Sequence, residues 1–222
     1  MSTDQTSTVR ELVSDALLDL EAARLGTPPD AKEMDLGIRH LNRIMKTWQG
    51  NGSQFLRARG TLTLTDSEVY TLSPVVRPIR IIDARLRQVS TIETPMFRMN
   101  RAEYDNLPQK LSTGLPTQFY YDRQKENALF YVWPVLATSA VNGQTIEYSY
   151  EREFEDVTDP DEVLDAPVEW YDAIVSELAA RLCPAFGSLD KLPVLQAMAK
   201  EKLDTALGSD TEESVYWKQK YE

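Results

Sequence analysis

The hydrophobic period of the chain changes twice. At both ends apolar residues recur every three or four positions, while between about residues 60 and 150 they alternate. A helical part and a strand-rich part must therefore share one chain. Val9, Leu12, Val13, Ala16, Leu17 and Leu20 make the first stripe, and Gly26 with Pro28 and Pro29 is expected to end that helix near residue 25. Asp30 and Glu33 have capping-box spacing, and Met34, Ile38, Leu41, Met45 and Trp48 continue as the second stripe to about residue 49. Two such helices joined by a short loop form a helical hairpin.

In the middle, Leu62 and Leu64 alternate with threonines, and Val69 to Leu72 follows Asp66-Ser67-Glu68, which predicts a strand hairpin. From Ile79 to Val89, Ile82, Ala84 and Leu86 are expected on one face, with Arg85 and Arg87 on the other. Asn100 to Asn106 predicts a short helical segment before Pro108. Further strands are expected at Thr117–Tyr121, Leu129–Trp133 and Thr145–Tyr150, all antiparallel. Helices return at about residues 166–185, with Asp165 as N-cap, and at 190–207, with Pro193 in the first turn and Gly208 as the stop.

The expected class is α+β: an N-terminal helical hairpin, a small central antiparallel sheet, two C-terminal helices and an extended tail. It amounts to a helical bundle with a β-rich insertion at about 60–150. Residues 1–208 are expected to form one domain, and 209–222 a docking arm. That arm is polar yet carries Val215, Tyr216, Trp217 and Tyr221, a concentration of aromatics typical of interface anchors.

Charge narrows the function classes. The 222 residues hold 35 acidic and 24 basic side chains, a net charge of −11. Broad phosphate-gripping surfaces have the opposite balance, so nucleic-acid binding through the tyrosines of 117–150 is the weakest reading. Arg77, Arg80, Arg85 and Arg87 cluster, and Arg80, Arg85 and Arg87 are candidates for ion pairs with an acidic partner surface. The polar first ten residues lack a signal-peptide core, and the longest apolar run, Ala128–Ala137, is half a membrane span. A soluble protein of a reducing compartment is the expectation.

Catalytic signals are sparse. The stretch Glu151–Glu162 has seven carboxylates, but it lacks an EF-hand register and Pro160 interrupts it. A solvated loop is preferred there to a cation site or a glycosidase pair, which would need two carboxylates across a cleft. His40 and Cys183 could make a thiol–imidazole dyad. Cys183 instead continues an apolar stripe, where a free cysteine packs as a small hydrophobe. Gly50-x-Gly52 follows a helix and not a strand, so it is no phosphate loop. Catalytic residues, cofactor and metal are all expected to be none.

Several blocks resemble the head-to-tail adaptor proteins of tailed, short-tailed-type phages. They are Leu41 to Gln49, Arg77 to Ile81, Arg101 to Pro108, Gly114 to Asp122 followed by Asn127-Ala128-Leu129 and Trp133-Pro134, and Tyr150 to Leu182. In order and spacing they cover most of residues 9–187. The resemblance implies a non-enzymatic virion protein, made in the host cytoplasm and located in the neck between capsid portal and tail. It implies a dodecameric ring that binds the portal protein, extends the DNA channel and carries tail nozzle or tail fibre proteins. DNA would pass without sequence-specific binding, and no membrane is involved. The alternative class is a virion-associated cell-wall hydrolase.

Overall fold

The computed structural model describes residues 6–24, 26–51, 54–72, 77–88, 92–125, 127–140 and 143–210. The chain divides into two compact units, residues 1–55 with 154–222 and residues 56–153. The architecture is α+β, with the helical hairpin and the two C-terminal helices in the first unit.

The helical unit contains α1 (Val9–Asp19), α2 (Ala31–Trp48), α4 (Tyr171–Leu182) and α5 (Leu192–Ser209). Complete capping boxes start α1, through Thr8 and Glu11, and α2, through Asp30 and Glu33. Helix α4 packs against α1, α2 and α5. It is buried on nearly every side, with Ile174, Leu178, Ala179 and Leu182 all at 1% exposure or less.

Helix ends differ from expectation. Helix α1 stops at Asp19, short of the glycine and prolines. Glu21 takes φ 56°, and the Glu21 and Ala22 amides donate to the Leu18 and Leu17 carbonyls. That is a Schellman closure with a glutamate where glycine is usual. Lys191, which precedes α5, holds it by donating to the Leu20 carbonyl at 3.2 Å and pairing with Glu21 at 2.6 Å.

Asp165 is not the N-cap of the helical segment that follows it. Pro167 precedes a 3-10 turn at Val168–Trp170 that leads into α4, and the Asp165 carboxylate accepts from the Glu155 amide. Gly208 does not stop α5, which runs one residue beyond it, because one glycine costs a helix only about 1 kcal/mol.

The second unit holds β1 (Arg57–Thr63), β2 (Val69–Leu72), β3 (Arg80–Arg87), β4 (Glu93–Pro95), β5 (Phe97–Met99), the short α3 (Arg101–Asp105), β6 (Gln118–Arg123), β7 (Ala128–Trp133) and β8 (Thr145–Glu151). They form two four-stranded sheets, ordered β1-β8-β3-β4 and β2-β7-β6-β5. Leu64, Leu86, Phe119, Phe130, Val132 and Ile146 anchor the apolar core that the two sheets share.

The expected hairpin does not form, because β1 pairs with β8 and β2 with β7 in the other sheet. Asp66-Ser67-Glu68 has no glycine for a tight primed turn. Tyr70 instead ties the crossing, its hydroxyl donating to the Thr65 carbonyl at 3.0 Å. Pairing is not uniformly antiparallel either. Strand β5 lies parallel to β6, since the chain passes from one sheet to the other through buried Met96. A bulge between Ile81 and Asp83 resets the alternation of β3, so Ile81 is buried at 1% and Ile82 is exposed at 40%. Among the described residues no helix is long and apolar enough to cross a membrane.

Candidate assembly surfaces

Strand alternation turns Ile146, Tyr148 and Tyr150 of β8 toward the core and Glu147, Ser149 and Glu151 toward the opposite face. In register beside those carboxylates lie Arg57 and Arg59 on β1, and Arg80, Asp83 and Arg85 on β3. The outer face of the sheet is thus a central acidic column flanked by arginines. A groove of about 300 Å³ crosses it, lined by Arg59, Thr61, Asp83, Arg85, Glu147 and Ser149 among others.

The three arginines singled out in the sequence are not equivalent. Arg80 grips Glu151 with two nitrogens at 2.7 and 2.5 Å, and the Glu151 side chain is only 3% exposed. Those hydrogen bonds raise the affinity of Arg80 for its proton above the ordinary value. Arg87 pairs with Glu147. Arg85 stands between Asp83 and Glu93 at 3.7 and 3.6 Å, with about half its side chain exposed. Their carboxylates come from the same unit. Arg59 has no ion-pair partner among the described residues, so it is the cation of this face most open to an outside group.

Arg77 and Arg123 converge on Glu153 at 2.5 and 3.3 Å. On the other sheet, Tyr104 of α3 stacks on Tyr120 at 5.4 Å and meets Tyr131 in a tilted contact at 4.9 Å, with the Lys110 ammonium 4.8 Å above its ring. Burial pushes the Tyr104 hydroxyl up to about 12. These aromatics are taken up by packing within the unit.

The acidic stretch is more structured than a solvated loop. Asn42 both donates to the Val157 carbonyl and accepts from its amide, each at 2.9 Å, and Lys46 donates to the Phe154 carbonyl. Asp156 pairs with Lys46 and Asp161 with Arg10. Glu162 accepts the Thr158 and Asp159 amides, which holds its carboxyl below the usual range. Among the described residues no three metal-ligating side chains gather. The Cys183 thiol is buried and donates to the Ser188 carbonyl at 2.8 Å. His40 is held below its ordinary value by partial burial and by Arg43, Arg181 and Arg39. Val215, Tyr216, Trp217 and Tyr221 lie outside the described residues.

Two features escaped the sequence. The first is charge partition: residues 56–153 hold 12 basic and 11 acidic side chains, and the remainder hold 12 and 24. The whole excess negative charge therefore belongs to the helical unit, and the strand boundary at residue 56 was the signal available for finding it. The second is Phe97, which is 72% exposed on the edge strand β5. A single phenylalanine between Met96 and Arg98 gives no hint of that.

Among solved structures the chain is similar to one in the neck of an empty GTA particle computed with C6 symmetry, with 15% identity over 81% of this chain and 82% of that one and a TM-score of 0.31. A chain from the virion of the native gene transfer agent (GTA) particle gives 16% identity, 78% and 76% coverage, and a TM-score of 0.30. Superposition at that level carries neither fold nor function across. No curated protein matches. The family model described as SU10 adaptor protein matches residues 7–219, which takes in both units and every resembling block read from the sequence. The chain belongs to the SU10 adaptor protein family, as a structural head-to-tail adaptor.

Proposed function

We propose that the chain works in the neck of a tailed virion, as a ring of copies seated beneath the portal protein that extends the DNA channel and carries tail nozzle or tail fibre proteins. The observation that supports this is the adaptor-family match over residues 7–219. Twelve copies is the stoichiometry implied by the resemblance, and identical head-to-tail contacts close into a ring when the rotation per copy is fixed by a partner ring. The excess negative charge of the helical unit would repel phosphate and keep DNA moving.

The tail 209–222 serves as the docking arm, with Trp217 its main anchor and Val215, Tyr216 and Tyr221 in support. Arg80, Arg85 and Arg87 belong to a second contact face, where Arg85 has the weakest attachments within its own unit and is freest to exchange partners.

A cell-wall hydrolase has no comparable support. The carboxylates at 151, 153, 156, 161 and 162 are engaged by arginines, a lysine or backbone amides, not set across a cleft. Co-sedimentation with portal tests the proposal. Full-length protein should travel with portal, and Trp217→Ala should lose that association while its thermal melt stays nearly unchanged. Retained binding by Trp217→Ala, or a much earlier melt, would contradict the docking arm.

A further inference from the structure

Among the described residues the second unit has four sheet edges, and three are guarded. Strand β1 presents Arg57 and Arg59, β4 carries Glu93 and Pro95, and β2 is capped by Ser67, whose hydroxyl bonds the Val69 backbone. Charges, proline and local backbone bonding are the usual ways to stop another strand from adding.

Strand β5 has neither proline nor local backbone bonding, and its one charged side chain, Arg98, donates to the Ile81 carbonyl at 3.4 Å. Its Phe97 amide donates inward to the Thr117 carbonyl at 2.9 Å. Alternation in a parallel pair then directs the Arg98 amide and carbonyl at the free edge. Phe97 is 72% exposed there, the most exposed large hydrophobic residue among those described. Beside it Arg98, Arg101, Met99 and Tyr120 line a depression of about 460 Å³, together with Glu103, whose carboxylate is held by the Asn100 amide. Arg98 has no carboxylate partner among the described residues, and the only one at Arg101 is Asp105 at 3.7 Å, with both side chains exposed. The edge therefore offers a backbone donor and acceptor, an apolar contact and two weakly compensated cations.

The chain itself contains a segment with the matching chemistry. Beyond Asp210 run twelve residues, beginning Thr211-Glu212-Glu213 and continuing Ser214-Val215-Tyr216-Trp217. The two glutamates complement Arg98 and Arg101. The next four residues include three of high strand propensity. Twelve residues reach at most about 40 Å, and pairing with a three-residue strand takes about 10 Å of that.

We propose that residues 212–217 of one copy add as a strand to the free edge of β5 in a second copy, with the glutamates against Arg98 and Arg101 and the aromatics against Phe97. This rests on the docking-arm reading of 209–222 and names a receptor for it: the neighbouring adaptor subunit. Main-chain bonds supply the attachment, and alternate side chains supply selectivity. Each subunit gives an arm on one side and accepts one on the other, a heterologous contact that closes only as a ring or runs on as a filament.

The test mixes two full-length variants, Phe97→Cys and Tyr216→Cys, in the presence of portal under mild oxidation. Opposed strand residues come within disulfide reach, and native Cys183 is buried. The expected result is a disulfide between the two variants, formed at least about tenfold faster than between Tyr216→Cys and the exposed control Val194→Cys, because strand addition raises the local thiol concentration. Arg98→Glu on the Phe97→Cys chain should slow it, and Glu213→Arg on the Tyr216→Cys chain should restore the rate.

Equal rates with the control would overturn the inference. So would a Phe97→Cys/Tyr216→Cys double variant that links only within one chain. If those rates are equal while Trp217→Ala still loses portal, the arm docks on portal and only this inference fails. If Trp217→Ala and truncation after Gly208 both retain portal and ring, the docking-arm reading fails as well.

Discussion

Tyr121 places its ring in the core of the second unit and donates its hydroxyl to the Pro78 carbonyl at 2.6 Å. Burial pushes that hydroxyl up to about 12, against about 10 in an unfolded chain. The folded protein therefore keeps a proton that the unfolded chain releases. Its contribution, at most about 2–3 kcal/mol, is complete below pH 10 and is lost as the pH rises toward 12. Tyr104 adds to the loss in the same window. Urea unfolding at pH 8 and pH 11 checks this, with wild type losing stability between them. Tyr121→Phe should cost about 1–2 kcal/mol at pH 8, since the Pro78 carbonyl loses its donor, and should lose less on going to pH 11.

The buried Glu151 carboxylate and its half-exposed partner Arg80 make a sharper contrast. Arg80→Ala leaves the Glu151 carboxylate without its fork, at a cost of about 2–4 kcal/mol. Arg85→Ala, from pairs at 3.6 and 3.7 Å on an exposed face, should stay within about 0.5 kcal/mol. The two arginines are equally exposed, so equal effects in denaturant midpoints would show that burial of the partner carboxylate does not rank them.

Among the elements, the helices were the most legible because their signals are local. Asp30 and Glu33 mark the start of α2, and its apolar stripe follows within the same eighteen residues. What escaped was set by packing. Gly37 lies in that stripe because a methyl group there would stand 2.7 and 2.8 Å from the two methyls of fully buried Val13 on α1. Val13 is β-branched and has little freedom to turn away. Gly37→Ala should therefore force α1 and α2 apart and cost about 1–3 kcal/mol, read from thermal or denaturant unfolding.

The end of α1 gives the opposite expectation. Glu21 holds a left-handed backbone, and its pairing with Lys191 leaves the carboxylate 80% exposed. Glu21→Gly should relieve more than the ion pair contributes and stabilise by about 0.5–1 kcal/mol. The strands show why sheet order was harder to read. Alternation located β3, β6, β7 and β8, but pairing β1 with β8 joins residues about ninety positions apart. No local pattern encodes that choice. The bulge at Ile82 likewise reversed a face that strict alternation would assign.

At the scale of the whole molecule, class and family were readable, and the ion pairing of the arginines was only partly so. The shift from helical to strand period and back gave the α+β class, and ordered blocks from residue 41 to 182 gave the adaptor resemblance that the family match over 7–219 bears out. The arginine cluster was visible, yet its partition into Arg80, paired with a buried carboxylate, and an open cation at Arg59 depends on which strand lies beside β8. Phe97 needed the sheet order before its exposure had meaning.

The central claim is that this chain becomes a ring through its partner. Light scattering of the purified protein, alone and then mixed with portal, tests it most directly. Protein alone should have the mass of a monomer or a weak, concentration-dependent oligomer, and addition of portal should produce a single complex with the mass of portal plus about twelve adaptor chains. A tight dimer that persists unchanged in the presence of portal would contradict the account.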